Sequence, residues 1–221
     1  MKIYVCAVAA SALMLAAVTN AKPDERADKL IREVIAKYAS LRSMTGTITL
    51  TWIKDGKPAA SSGALKLMKP NKALVQVKGD AEMVVASDGK QLVRLLKGNR
   101  YMTDILGDNG SGITFGQGMQ VPMFFVPSDV LGGFKQIGVT YKGKQKLGAE
   151  ECDIVVVANS AIKLQYTLYI TATKLVKRIE MGSSDPLSKI AAEISDVKLN
   201  AHLTAADFAY KPPKNAKLFE P

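Results

Sequence analysis

Histidine and cysteine are nearly missing from this chain of 221 residues, which holds one His and two Cys. That scarcity excludes a Cys₄ or Cys₂His₂ zinc site and leaves no thiol framework for a cluster. Long apolar runs are also missing beyond the extreme N-terminus, so the pattern excludes a multispanning helical membrane protein. Acidic residues are in deficit, 20 against 30 basic ones, giving a formal net charge of +10. What is present is a globular composition, 48% hydrophobic and 23% charged, in a length that suits one domain.

The N-terminus reads as an export signal. Met1-Lys2 is a short positive region, Ile3 to Val18 is apolar and uncharged, and Thr19-Asn20-Ala21 offers a small-residue cleavage site. Cleavage after Ala21 into the periplasm is expected, leaving 22–221 as a single domain. The sixteen residues from Ile3 to Val18 are short for a membrane anchor. Cys6 lies too near the start for lipidation. The only other thiol, Cys152, precedes Ile154-Val155-Val156-Val157 and reads as a small buried hydrophobe.

Residues 24–41 carry the helical period. Ala27, Leu30, Ile31, Val34, Ile35, Tyr38 and Leu41 recur on one face, while Arg26, Lys29, Arg32 and Lys37 take the other. The period then changes to two. In Thr47-Ile48-Thr49-Leu50-Thr51-Trp52 the threonines take one face and the apolar residues the other, and Asp55-Gly56 signals a hairpin. Further strands are expected at 64–68, 73–77, 83–86 and 92–96, separated by short turns that demand an antiparallel meander. The rhythm stops after Met102. Gly107 to Gly118 holds five Gly in twelve residues, followed by Val121-Pro122-Met123-Phe124-Phe125-Val126-Pro127 and a possible helix over 128–134. Strands resume at 137–141, 152–158, 163–171 and 175–181, and 189–199 fits either helix or strand.

Chemistry-bearing constellations are sparse. The Gly107–Gly112 stretch lacks a P-loop's closing Gly-Lys-Ser/Thr and completes no G-x-G-x-x-G. Ser87-Asp88-Gly89 has only His202 to act as its base. Lysines are dispersed through the turns instead of interleaved with aromatics, which argues against nucleic acid as a partner. No enzyme activity, metal or cofactor is expected. A long sheet with one apolar face and little helix must curl and enclose something. The inference is a cavity for an apolar ligand, lined by Ile48, Leu50, Trp52, Leu65, Leu67, Met83 and Val85, with Met123, Phe124 and Phe125 in a mobile lid over 107–134.

Three segments resemble the LolA family of periplasmic lipoprotein carriers. Gly63-Ala-Leu-Lys-Leu-Met-Lys-Pro-Asn71 resembles its G-x-L-…-[RK]-P-N strand and turn. Val85-Ala-Ser-Asp-Gly-Lys-Gln-Leu-Val93 resembles its V-S-D-G-K-x-L-W segment, and Ala206-Asp-Phe-Ala-Tyr-Lys-Pro-Pro-Lys-Asn-Ala216 its closing F-x-[FY]-x-P-P-x-G. The resemblance implies a mainly β (α+β) fold, an incomplete, strongly curved antiparallel barrel with an N-terminal helix and a helical lid over its concave apolar face. It implies a cavity that receives acyl chains of lipoproteins or lipids, an inner-membrane donor and an outer-membrane acceptor, and a monomer. Lys69 stands where the family has an Arg that helps hold the lid closed, and lysine cannot offer that planar fork. Val93 and Ala216 replace the family's aromatic and glycine. A sensor or interaction module of the same fold, of the RseB type, is the alternative function.

Overall fold

The computed structural model describes residues 24–96, 99–105, 138–159, 164–182 and 190–219. The expected export signal, the Gly107–Phe134 lid and Met123, Phe124 and Phe125 lie outside these residues. Helix α1 (Glu25–Ser40) is followed by β1 (Ser43–Lys54), β2 (Lys57–Met68), β3 (Lys72–Gly79), β4 (Met83–Asp88), β5 (Gln91–Leu96) and β6 (Arg100–Ile105). Then come β7 (Gly138–Leu147), β8 (Glu150–Asn159), β9 (Leu164–Ile170), β10 (Val176–Gly182), β11 (Ile190–Leu199), a 3-10 turn (Ala205–Phe208) and β12 (Lys217–Leu218).

The helix begins where the sequence places it. Asp24 is the N-cap, its Oδ1 accepting from the Ala27 amide at 3.1 Å, and Glu25 and Asp28 sit at the positive end of the helix dipole. Ala27, Leu30, Val34 and Tyr38 form its buried face.

All twelve strands described form one sheet, ordered β12-β6-β5-β4-β3-β2-β1-β11-β10-β9-β8-β7. Two antiparallel meanders, β1 to β6 and β7 to β11, are joined by the pairing of β1 with β11; β12 alone pairs in parallel, along β6. The ambiguous segment is thus a strand, β11, in register Ile48↔Ile194 and Trp52↔Ile190. Strand β6 corrects the expectation that the rhythm ends at Met102: its backbone pairs with β5 as far as Ile105, although the sequence there does not alternate apolar with polar. The Asp55-Gly56 hairpin is present, both residues at positive φ (52° and 73°), the geometry that matches strand twist. Bulges between Thr45 and Thr47, Tyr141 and Gly143, and Val176 and Arg178 bend their strands and help the sheet curl.

Helix α1 crosses one end of the concave face and is fastened at both of its own ends. At its start, the Tyr141 amide donates to Asp24 Oδ2 at 2.6 Å, and Arg26 reaches the Tyr141 hydroxyl, which donates to Asp153 at 2.8 Å. Bonds from the Tyr141 and Ala27 amides hold the Asp24 carboxyl below its ordinary pKa. Midway, Glu33 pairs with Lys174 at 2.8 Å. At its close, the buried Tyr38 hydroxyl accepts from the Val176 amide at 3.2 Å.

The convex face is crossed by the C-terminal segment. Asn200 and Ala201 bond the start of β1 through Ser43 and Arg42, Asp207 pairs with Lys66 of β2 at 2.8 Å, and Phe208 is 1% exposed over β3 and β4. Val84 and Ala86, opposite Val85 by alternation, are therefore buried as deeply as Val85 itself.

Candidate functional site

Strand alternation and register define the concave face residue by residue. On β1 it is Ile48, Leu50 and Trp52; the register carries it to Leu65 and Leu67 on β2, Ala73, Val75 and Val77 on β3, and Met83 and Val85 on β4. The opposite wall continues through Ile190, Ala192 and Ile194 on β11, Ile179 and Met181 on β10, and Tyr166 and Leu168 on β9.

This face has two zones. Near α1 it is closed: Ile48, Leu50, Leu65, Leu67, Val75 and Val85 are each at most 5% exposed and pack in one cluster with Leu30, Val34 and Tyr38. Five of the seven described residues expected to line a cavity therefore lie in packed core. At the other end, the strands extend beyond the helix, and a row in direct register, Trp52↔Ile190↔Met181↔Tyr166, is only half-buried. The row continues through the buried Val157 to the half-buried Val139, while Met83, also half-buried, stands in register with Val77, Gly63 and Ile48. Burial raises the Tyr166 hydroxyl pKa, so the phenol stays neutral and serves as an apolar wall with one polar tip.

The structure thus aligns Trp52 with Ile190, Met181, Tyr166 and Val139, which sequence reading did not single out, and leaves Met83 apart from them on β4. Their signal is weak in the sequence. Each is one apolar residue in an ordinary strand, and only the pairing of β1 with β11 places them beside Trp52.

Arg94 also shares this face. On β5 it pairs with Val85 on one side and Met102 on the other, two residues after the buried Leu92, and it is half-buried. Alternation within 92–96 gives little warning of it, since apolar residues occupy both faces of that strand.

Lys69 acts on the helix. Its Nζ donates to the carbonyl oxygens of Tyr38 at 3.0 Å and Ala39 at 2.6 Å, the unsatisfied acceptors of the last turn of α1. Burial of the ammonium there lowers its pKa below the ordinary lysine value. Since Leu41 also donates its amide to the Tyr38 carbonyl, Lys69 completes a C-terminal cap.

The side chains of the Ser87-Asp88-Gly89 turn are spent on the turn itself. Ser87 Oγ donates to the Asn71 carbonyl at 2.6 Å and accepts from the Gly89 amide, while Asp88 Oδ1 accepts from Lys90 and Gln91. His202 is exposed, on the segment that crosses the convex face. Cys152 is fully buried beside Ile154 and Tyr169, and burial pushes its thiol pKa up, as expected of a packed hydrophobe. Among the described residues no group of acidic, His and Cys side chains could hold a metal ion, and no helix is long and apolar enough to cross a membrane. A shallow groove of about 480 Å³ runs at β1, β2, β10 and β11, its walls joining Ile53, Pro58, Arg178 and Glu180 of the outer face to Trp52 and Ile190 of the inner row.

Comparison with solved structures places the fold beside an uncharacterized conserved protein from Thermus thermophilus. The TM-score is 0.53 at 12% identity, covering 88% of this chain and 98% of that one. Similarity extends to LprF from Mycobacterium bovis, with a TM-score of 0.47 at 12% identity over 89% of this chain and all of that one. It also extends to a LolA superfamily protein from Nitrosomonas europaea, with a TM-score of 0.43 at 9% identity over 83% and 97% of the two chains. No curated protein matches the sequence. The match that covers residues 27–220, nearly the whole described fold, settles the family: the chain belongs to the one described as predicted periplasmic protein (DUF2092).

Proposed function

We propose that this protein is a periplasmic carrier that shields acyl chains of lipids or lipoproteins along its concave face and releases them to an acceptor in the envelope. The observation that carries this reading is the half-covered apolar row of Trp52, Ile190, Met181 and Tyr166, continuous with a closed core on one side. Apolar side chains left partly open on the inner surface of a curled sheet gain free energy when an acyl chain covers them, roughly 0.8 kcal/mol per CH₂ transferred. Met181 suits a ligand of variable chain, because an unbranched thioether repacks without strain. The motifs at 63–71, 85–93 and 206–216, which resemble the LolA family, support the same reading. Binding alone, with no bond made or broken, is part of the proposal.

The test is direct. Protein purified from the periplasm under native conditions is expected to carry lipid detectable by mass spectrometry, and a delipidated sample to take up either acylated lipoprotein or phospholipid. Delipidated, folded protein that takes up neither overturns the reading.

A further inference from the structure

We propose that the Tyr166 hydroxyl donates to the carbonyl oxygen that joins an acyl chain to its head group, so that the site selects ester- or amide-linked chains over ether-linked ones. The inference rests on the acyl-binding reading above and names the linkage it favours. Three observations lead to it. Tyr166 belongs to the open row by direct register, through Met181 and Ile190 to Trp52. It is half-buried there and packs against the core cluster. Among the described residues its hydroxyl has no hydrogen-bond partner, whereas those of Tyr38, Tyr141 and Tyr169 engage the Val176 amide, Asp153 and Glu180.

An acyl chain that covers the row strips water from this half-open phenol, and a polar group dehydrated without a replacement bond opposes binding. A wall that was only apolar would be served by phenylalanine. A carbonyl at the head of the chain restores the bond, because the phenol O–H is a donor. The register sets the orientation. Met181↔Tyr166 is the pair before Gly182↔Gln165, the last between β9 and β10, so a head group attached at that carbonyl lies toward the end of the sheet. In the other direction Leu168 and Ile179 are 3% and 7% exposed, which closes the way along β9 into the core. The chain therefore lies across the strands, over Met181 and Ile190 to Trp52, three inter-strand spacings or about 14 Å measured along the sheet. There the row meets the groove walled by Ile53 and Pro58.

The experiment compares dodecanoyl lysophosphatidylcholine with its ether analogue, dodecyl lysophosphatidylcholine, each below its micelle concentration. The pair shares head and chain and differs in the carbonyl. Binding is measured by calorimetry on the delipidated full chain and on Y166F. Wild type is expected to bind the ester about fivefold more tightly, the worth of one neutral hydrogen bond. The ether is the more apolar of the two, so burial alone ranks them the other way. Y166F should lose the preference while keeping the ether affinity of wild type. The infrared carbonyl band of a carbon-13-labelled ester should sit at lower wavenumber when bound to wild type than when bound to Y166F. The wild-type comparison tests the proposal even if Y166F fails to fold. Equal affinity of wild type for ester and ether overturns the proposal and leaves the carrier reading intact. So does an ester preference, or an unshifted carbonyl band, that Y166F shares with wild type, which places the carbonyl elsewhere. An equal loss of both ligands in Y166F with normal thermal unfolding also overturns it, and makes Tyr166 a wall alone. If neither chain binds wild type, the carrier reading and the proposal fall together.

Discussion

Trp52 sits at the boundary between the closed core and the open row, packed against the core cluster yet half-buried. Its emission should therefore respond to a ligand in the row. Titration with brominated fatty acid is expected to quench it, and Trp52→Ala to weaken uptake at least severalfold without unfolding the protein; unchanged emission at verified saturation would remove Trp52 from the site. Gly63 shows a purely structural demand. A Cβ added there would overlap the backbone carbonyl of Gln76, where β2 and β3 approach closely. Gly63→Ala should cost about 1–3 kcal/mol, the range for overpacking a tight contact, measurable by urea unfolding. That explains why the motif at 63–71 opens with glycine. Tyr38 is the third case. Burial pushes its hydroxyl pKa up, so it stays a neutral acceptor for the Val176 amide. Tyr38→Phe strands that buried donor and should lower stability by about 1–3 kcal/mol in the same assay.

At the scale of elements, the helix and the C-terminal segment clasp opposite faces of the sheet. Helix α1 is tied to β7, β8 and β10 and to the β2–β3 turn, which fixes which part of the concave face stays closed. The C-terminal segment depends on Asp207, whose carboxyl is held down to about 2, first by the Lys66 ammonium and then by the Thr204 amide and hydroxyl. A folded-state pKa below the ordinary 3.8 contributes stability that is present above that value and lost as pH falls through about 2. Amide exchange over 204–210 should accordingly quicken as pH drops from about 4 to about 2, after correction for the intrinsic exchange rate. Asp207→Asn should flatten that response. A segment whose protection in this window is the same in wild type and variant would show that the pair does not hold the strap.

At the scale of the whole molecule, the family's description and the proposed carrier role point to one compartment. The family is described as predicted periplasmic, and the proposed shielding of acyl chains on the half-covered inner face of the sheet is a task for an aqueous compartment between membranes. The expectation that follows is a mature protein starting at Lys22 and recovered without detergent. N-terminal sequencing of the periplasmic protein checks it, and Met1 retained in a membrane fraction would reject it.

The local pattern of the chain was sufficient for α1, for the Asp55-Gly56 hairpin and for the antiparallel meander, because hydrophobic period and turn chemistry act over a few residues and report on them directly. It also placed Ile48, Leu50 and Trp52 on one face, since a period of two admits no other arrangement. It could not assign Ile190–Leu199, where spacings of four satisfy both periods; the pairing with β1 decides that segment as strand. Nor could it divide the apolar face into core and site. Leu50 and Trp52 look alike in the sequence, and only the position of α1, fastened by contacts up to 138 residues apart, buries one and leaves the other half-open. Met181, Tyr166 and Arg94 stayed hidden for the same reason: a strand's own residues say which of them share a face, while which face looks inward is set by neighbours far along the chain.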